Sequence, residues 1–94
     1  MIADGTEDRT VTLSPHATVL TIAGSDPSGG AGLQADLKSF QQLGCYGMSV
    51  ITLLTVQNTQ GVEHVELMPV SLIQAQLKAV VSDIMPRVIK TGAL

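Results

Sequence analysis

Aromatic side chains are almost missing from this 94-residue chain: one Phe, one Tyr and no Trp, 2% of the residues. A core must then be built mainly from Val, Leu, Ile, Ala and Met, and the chain has enough of these to be 45% hydrophobic, with mean hydropathy +0.34. Basic residues are also few. Five Lys and Arg against eight Asp and Glu give a net charge of −3. Nucleic-acid surfaces need clustered cations, and these five are scattered, so no nucleic-acid partner is expected. The single cysteine, Cys45, cannot form an internal disulfide and points to a reducing, cytoplasmic setting. It reads as a small residue just after a helix end. No apolar run approaches the roughly 20 residues of a membrane-spanning helix. Nor does the start carry a basic segment followed by an apolar one, so neither a membrane nor a secretory signal is expected.

Glycine is concentrated rather than scarce. Four of the nine glycines fall between Gly24 and Gly32. An apolar β-branched run, Val19 to Ala23, leads into this stretch and reads as a strand buried on both faces. Leu33, Leu37, Phe40 and Leu43 follow at helical spacing, and Gly44 stands where a C-cap glycine belongs. Ser49 to Val56 reads as a second buried strand, with Gln57 to Gly61 as a polar loop. Ile73, Leu77, Val80 and Ile84 share a second helical face, which Ser71 and Gln74 would open as a capping box. Pro86 ends that helix, and Arg87 to Thr91 reads as a third strand.

The expected order is therefore β-α-β-α-β: a parallel sheet with flanking helices and right-handed crossovers. Residues 1–16 are polar and without period, and are expected to be a mobile tail; residues 17–94 form the α/β unit. Three parallel strands would leave two unpaired edges. The expectation is thus the N-terminal part of a larger α/β domain, with self-association of the edges left open.

A glycine-rich turn between strand and helix can offer bare backbone N–H groups to a ligand at the positive end of the helix. Three templates apply. The Walker A pattern fails, because Gly30 and Ala31 stand where Lys and Ser/Thr should be. The dinucleotide pattern G-x-G-x-x-G/A matches Gly30 to Ala35, but Gln57 and Asn58 occupy the place of the ribose-binding acid. The third template is a small-molecule pocket at the C-terminal ends of the strands, built from Gly24, Asp36 and Gln57. Asp36 borders the apolar stripe of its helix. It can point back toward the loop, or it can serve only as first-turn charge favourable to the helix dipole.

Taken together, Leu20 to Lys38 (with its Ala-Gly-Ser-Asp-Pro-Ser-Gly-Gly-Ala-Gly-Leu-Gln-Ala-Asp string), Tyr46 to Thr52, Gln57 to Thr59 and Lys90 to Gly92 resemble the hydroxymethylpyrimidine/phosphomethylpyrimidine kinases of thiamine biosynthesis. The resemblance spans about residues 18–94, and pyridoxal kinases are its nearest neighbours. It implies the N-terminal portion of a ribokinase-like three-layer fold. It also implies transfer of a phosphoryl group from ATP with Mg2+ to 4-amino-5-hydroxymethyl-2-methylpyrimidine and then to its monophosphate. The matching substrate contacts are Gly24, whose backbone would approach the ring, Asp36, which would orient the hydroxymethyl group, and Gln57, whose carboxamide complements an aminopyrimidine edge. Ala93 stands where the family has a Met lining the pocket, so that wall is expected to be looser. The ATP site and the catalytic residue are expected in a C-terminal half that this chain does not supply, which leaves no catalytic residue here. Two rivals remain: a pyridoxal kinase-like enzyme, and a non-catalytic pyrimidine-binding or assembly module.

Overall fold

The computed structural model describes residues 2–3, 10–11 and 16–92. Ile2–Ala3 (β1) pairs antiparallel with Thr10–Val11 (β2). The rest of the tail assigned to residues 1–16 lies almost wholly outside the described residues, as does Ala93. The main body runs Thr18–Ser25 (β3), Gly32–Gln42 (α1), Tyr46–Asn58 (β4), Gly61–Leu67 (β5), Val70–Asp83 (α2) and Val88–Thr91 (β6).

Four of these strands form one sheet in the order β5-β4-β3-β6. β3 is central and pairs parallel with both β4 and β6. The chain steps one way from β3 to β4 and the other way from β4 to β6. Right-handed crossovers then place α1 and α2 on opposite faces. The sheet is not wholly parallel, as the sequence had suggested, because β5 runs antiparallel to β4. The stretch read as a loop is instead a continuation of β4 through Asn58 and a tight turn at Thr59–Gln60. Asn58 Oδ1 accepts the Gln60 N–H (2.8 Å) in that turn.

α1 forms where its apolar stripe falls. Leu33 and Phe40 are buried, and Phe40 packs with Val19 and Cys45, flanked by Ala17, Leu37, Leu43 and Val88. The scarce aromatic is thus the largest fully buried side chain. The helix stops as expected at Gly44, which takes φ +76°. Gly44 N–H donates to Gln41 O (3.0 Å) and Cys45 N–H to Phe40 O (2.9 Å), the paired bonds of a Schellman ending.

α2 begins differently from the expected capping box. Pro69, with φ −57°, is its N-cap, and no side chain caps it. Ser71 lies inside the first turn, too late to act; the Pro69 carbonyl accepts from Leu72 and Ile73 instead. The predicted face is real but only half-buried at Ile73, Leu77, Val80 and Ile84. One polar group on α2 has a sheet role. Gln76 receives the Ile51 N–H at Oε1 and donates to the Ile51 carbonyl from Nε2, both at 2.9 Å. Pairing between β4 and β5 begins at Leu53. The Gln76 carboxamide therefore substitutes for a neighbouring strand where β5 does not yet reach.

Candidate functional site

Parallel strands deliver their C-terminal ends to one side of a sheet, and ligands of open α/β folds bind there. Here a cavity of about 270 Å³ opens at that side. Gly24 from β3, Asp36 from α1, Gln57 from β4 and Lys90 from β6 all line it. The three residues that the sequence nominated within the described region therefore share one hollow.

The glycine loop is organised by Asp26, which the sequence reading passed over. Its Oδ1 accepts from the Ser28 N–H (2.9 Å) and the Ser28 hydroxyl (2.6 Å). Its Oδ2 accepts from the N–H groups of Gly30 (3.1 Å) and Ala31 (2.9 Å). The expectation of bare amides awaiting a ligand is corrected: a carboxylate of the loop itself already takes those amides. The Ser28 hydroxyl, opposed by burial and aided by the amides of Ser28, Ala31 and Gly30, holds the Asp26 carboxyl below its ordinary value. Asp-x-Ser is a recognisable turn signal, since an Asp side chain readily bonds the backbone two residues on. Gln34 completes the loop, accepting the Asp26 N–H (2.8 Å) and donating to Ser25 Oγ (2.7 Å).

Two glycines permit close packing rather than ligand access. A Cβ on Gly32 (φ +62°) would lie 2.4 Å from the Gly24 carbonyl oxygen. A Cβ on Gly24 would meet Leu53 Cδ1 at 2.6 Å. The room freed at Gly24 is thus filled by Leu53, not left for a ring as the sequence reading supposed, although Gly24 still borders the cavity.

Gln57 has a determined orientation. Its Nε2 donates to Thr55 Oγ1 (2.6 Å), and that hydroxyl in turn donates to the Ser25 carbonyl (2.9 Å). The Thr55 proton being committed to Ser25, Thr55 can only accept from Gln57. The Gln57 Oε1 and one remaining N–H are left for a further partner. Asp36 is also fixed: Thr21 Oγ1 donates to its Oδ2 and Lys90 Nζ to its Oδ1, both at 2.6 Å. Asp36 therefore does point toward the sheet and the cavity. Lys90 was missed as a site residue, because strand pairing rather than chain spacing brings it there.

These residues do not fit a nucleoside triphosphate with its metal. The loop amides close on Asp26, and the cavity's one Lys closes on Asp36. Among the described residues, no three His, Cys, Asp or Glu gather as a metal set. What remains free is a small set of neutral donors and acceptors beside a clamped carboxylate, suited to an uncharged polar ring.

The profile of the phosphomethylpyrimidine kinase family matches residues 26–94. The chain belongs to that family. The phosphomethylpyrimidine kinase fold is equally plain: the solved phosphomethylpyrimidine kinase of Clostridium difficile is 56% identical, with TM-score 0.80 over 83% of this chain and 34% of that one. The thiamine biosynthesis bifunctional protein ThiED of Geobacter sulfurreducens is 55% identical over 85% of this chain and 16% of its own length. The pyridoxal kinase of Staphylococcus aureus, solved with AMP-PCP and pyridoxal, is 44% identical, with TM-score 0.75 over 84% of this chain and 30% of that one. The chain spans between 16% and 28% of the first curated relatives it matches. The ribokinase-like α/β assignment thus stands, with β5 added to the expected elements. No described helix is long and apolar enough to cross a membrane.

Proposed function

We propose that residues 17–94 form the acceptor-binding side of an ATP-dependent kinase of thiamine biosynthesis, one that phosphorylates 4-amino-5-hydroxymethyl-2-methylpyrimidine and then its monophosphate. The observation that carries this reading is the convergence of Gly24, Asp36 and Gln57 on one cavity. Gln57 presents an acceptor and a donor side by side, the complement of an amino group next to a ring nitrogen. Asp36 accepts from the hydroxymethyl O–H and so orients the oxygen that is phosphorylated. Gly24 contributes backbone at the ring's edge, and Ala93 would form part of the far wall. ATP with Mg2+ supplies the phosphoryl group. The described residues form no site for it, so its binding belongs to segments of the relatives that this chain does not span. A cytoplasmic setting is part of the proposal, and so is self-association through the β5 and β6 edges.

Titration calorimetry on this chain tests the reading. The pyrimidine alcohol should bind without ATP, and pyridoxal at least about tenfold more weakly. Tighter binding of pyridoxal would move the assignment to the pyridoxal kinases. No binding of either ring by a folded sample would remove the acceptor site altogether. Transfer is read separately, by grafting residues 18–94 in place of their counterpart in the Clostridium difficile kinase. A folded graft that binds the pyrimidine but never phosphorylates it would favour a non-catalytic binding module.

A further inference from the structure

Thr21 and Lys90 are direct register partners on the adjacent parallel strands β3 and β6. Register partners project to the same face of a sheet. Here that face meets α1, and both side chains close on Asp36, one on each carboxylate oxygen. Thr21 is fully buried in the middle of its strand, where Val would pack as well without a hydroxyl to satisfy. The Asp36 side chain is only 12% exposed and that of Lys90 34%, so an ion pair has been largely withdrawn from water. Such a pair is weak as a source of stability, because desolvation opposes its attraction. Fold stability alone therefore does not account for this arrangement at the wall of a cavity.

The geometry points to Thr21 and Lys90 as positioning residues of the acceptor site. They pin the Asp36 carboxylate in one rotamer, so that it meets the substrate hydroxyl as a preset acceptor. A carboxylate has about four lone-pair directions. One on each oxygen is consumed by the clamp, and one on each remains for the cavity that Asp36 lines. Donors from two strands also stop the side chain from rotating toward Asp26 or solvent. This inference rests on the proposed acceptor reading and adds the residues that would make it selective for a hydroxyl-bearing ring.

The test compares two ligands that differ only at that hydroxyl: 4-amino-5-hydroxymethyl-2-methylpyrimidine and 4-amino-2,5-dimethylpyrimidine. By calorimetry, the unaltered chain should prefer the alcohol by about tenfold or more, the worth of a hydrogen bond to a charged acceptor. Thr21→Val, at a side chain that does not line the cavity, should erase most of that preference while leaving binding of the dimethyl ring within about twofold; Lys90→Met should lower the preference too, with the change in cavity wall felt by both ligands. Thr21→Ser and Lys90→Arg should restore it in part. A purely structural bridge would weaken both ligands alike. Thr21→Val keeps shape and volume and should fold even if Lys90→Met does not, as circular dichroism would show. Retained preference in folded Thr21→Val would overturn the clamp while leaving the acceptor site standing. An unaltered chain that binds neither ring would overturn the acceptor site, and the clamp with it.

Discussion

Replacing Gly32 by Ala probes the contact on which the whole cavity is hung. Gly32 begins α1 in the left-handed region at φ +62°, and an added Cβ would sit 2.4 Å from the Gly24 carbonyl oxygen. Two costs follow. A side chain in that backbone region costs roughly 1–2 kcal/mol. The clash is with main chain, so no rotamer change relieves it. The start of α1 must move off β3 by about 0.6 Å merely to reach the shortest tolerable contact of 3.0 Å. Overpacking of this kind costs roughly 1–3 kcal/mol. Gly32→Ala should therefore lose about 2–5 kcal/mol in urea unfolding followed by far-ultraviolet dichroism. Asp36 rides one turn behind Gly32, so ligand binding should fall as well. Gly61 supplies the control: nothing lies within 4 Å of its would-be Cβ, and its φ is not positive. Gly61→Ala should stay within about 0.5 kcal/mol of the parent chain. If the two variants unfold at the same urea concentration, close approach of α1 to β3 is not what fixes this loop, and the reasoning is wrong.

Gln57→Ala should weaken pyrimidine binding by about 1–3 kcal/mol, the value of a two-point amide pair; an unchanged dissociation constant would take Gln57 out of the site. Gln76→Ala removes both partners of the half-buried Ile51 backbone and should destabilise by about 1–3 kcal/mol per group left unsatisfied. A urea midpoint equal to that of the parent would refute the strand-substitute role. Acid should act through Asp26. Its folded carboxyl lies below the ordinary 3.8, so the unfolded chain takes up the proton more readily. The resulting stability is fully present above pH 3.8 and drains away as pH falls below that toward the folded value. Asp26→Asn should show a shallower loss across this acid range than the parent chain, and identical slopes would count against the loop carboxylate.

Much of this was legible from residue spacing. The Leu33, Leu37, Phe40, Leu43 stripe located α1, and Gly44 located its end, because helix period and left-handed termination are local properties. β5 was not legible. All seven of its residues are exposed, so no inside-outside alternation marks them. Val62, Val65 and Leu67 do not keep a period of two, and only the Asn58 to Gly61 turn signal was there to be noticed. The three nominated site residues met in one cavity because the strand ends had been ordered correctly. Asp26 escaped notice because glycines were read as openings for a ligand, when a neighbouring Asp could fill them first. Lys90 is 54 residues from Asp36 along the chain, and only the β3–β6 register brings the two together.

The division of labour among strands bears on which ring this cavity suits. Among the described residues, the three parallel strands, Gly92 just past β6, α1 and the loop before it line the cavity; antiparallel β5 arrives from the opposite direction and contributes no wall. The chain's backbone as a whole matches that of a pyridoxal kinase at TM-score 0.75, so main-chain shape offers little to choose between the two rings. Selection then falls to side chains, and Gln57 keeps a free acceptor and a free donor on one carboxamide. An aminopyrimidine answers that pair with a donor next to an acceptor. Pyridoxal has a methyl-bearing carbon on one side of its ring nitrogen and a plain C–H on the other, with no amino donor beside it, and at that nitrogen can answer only half of it. Leaving a buried polar group unmatched can discriminate by several orders of magnitude. Gln57 is half-buried, so water makes up part of the deficit, and a preference of about tenfold to a hundredfold is the physically reasonable span. The amide's anchoring to Thr55 sharpens this choice, because turning the carboxamide over to suit the wrong ring would set its oxygen against an oxygen that has no proton to give.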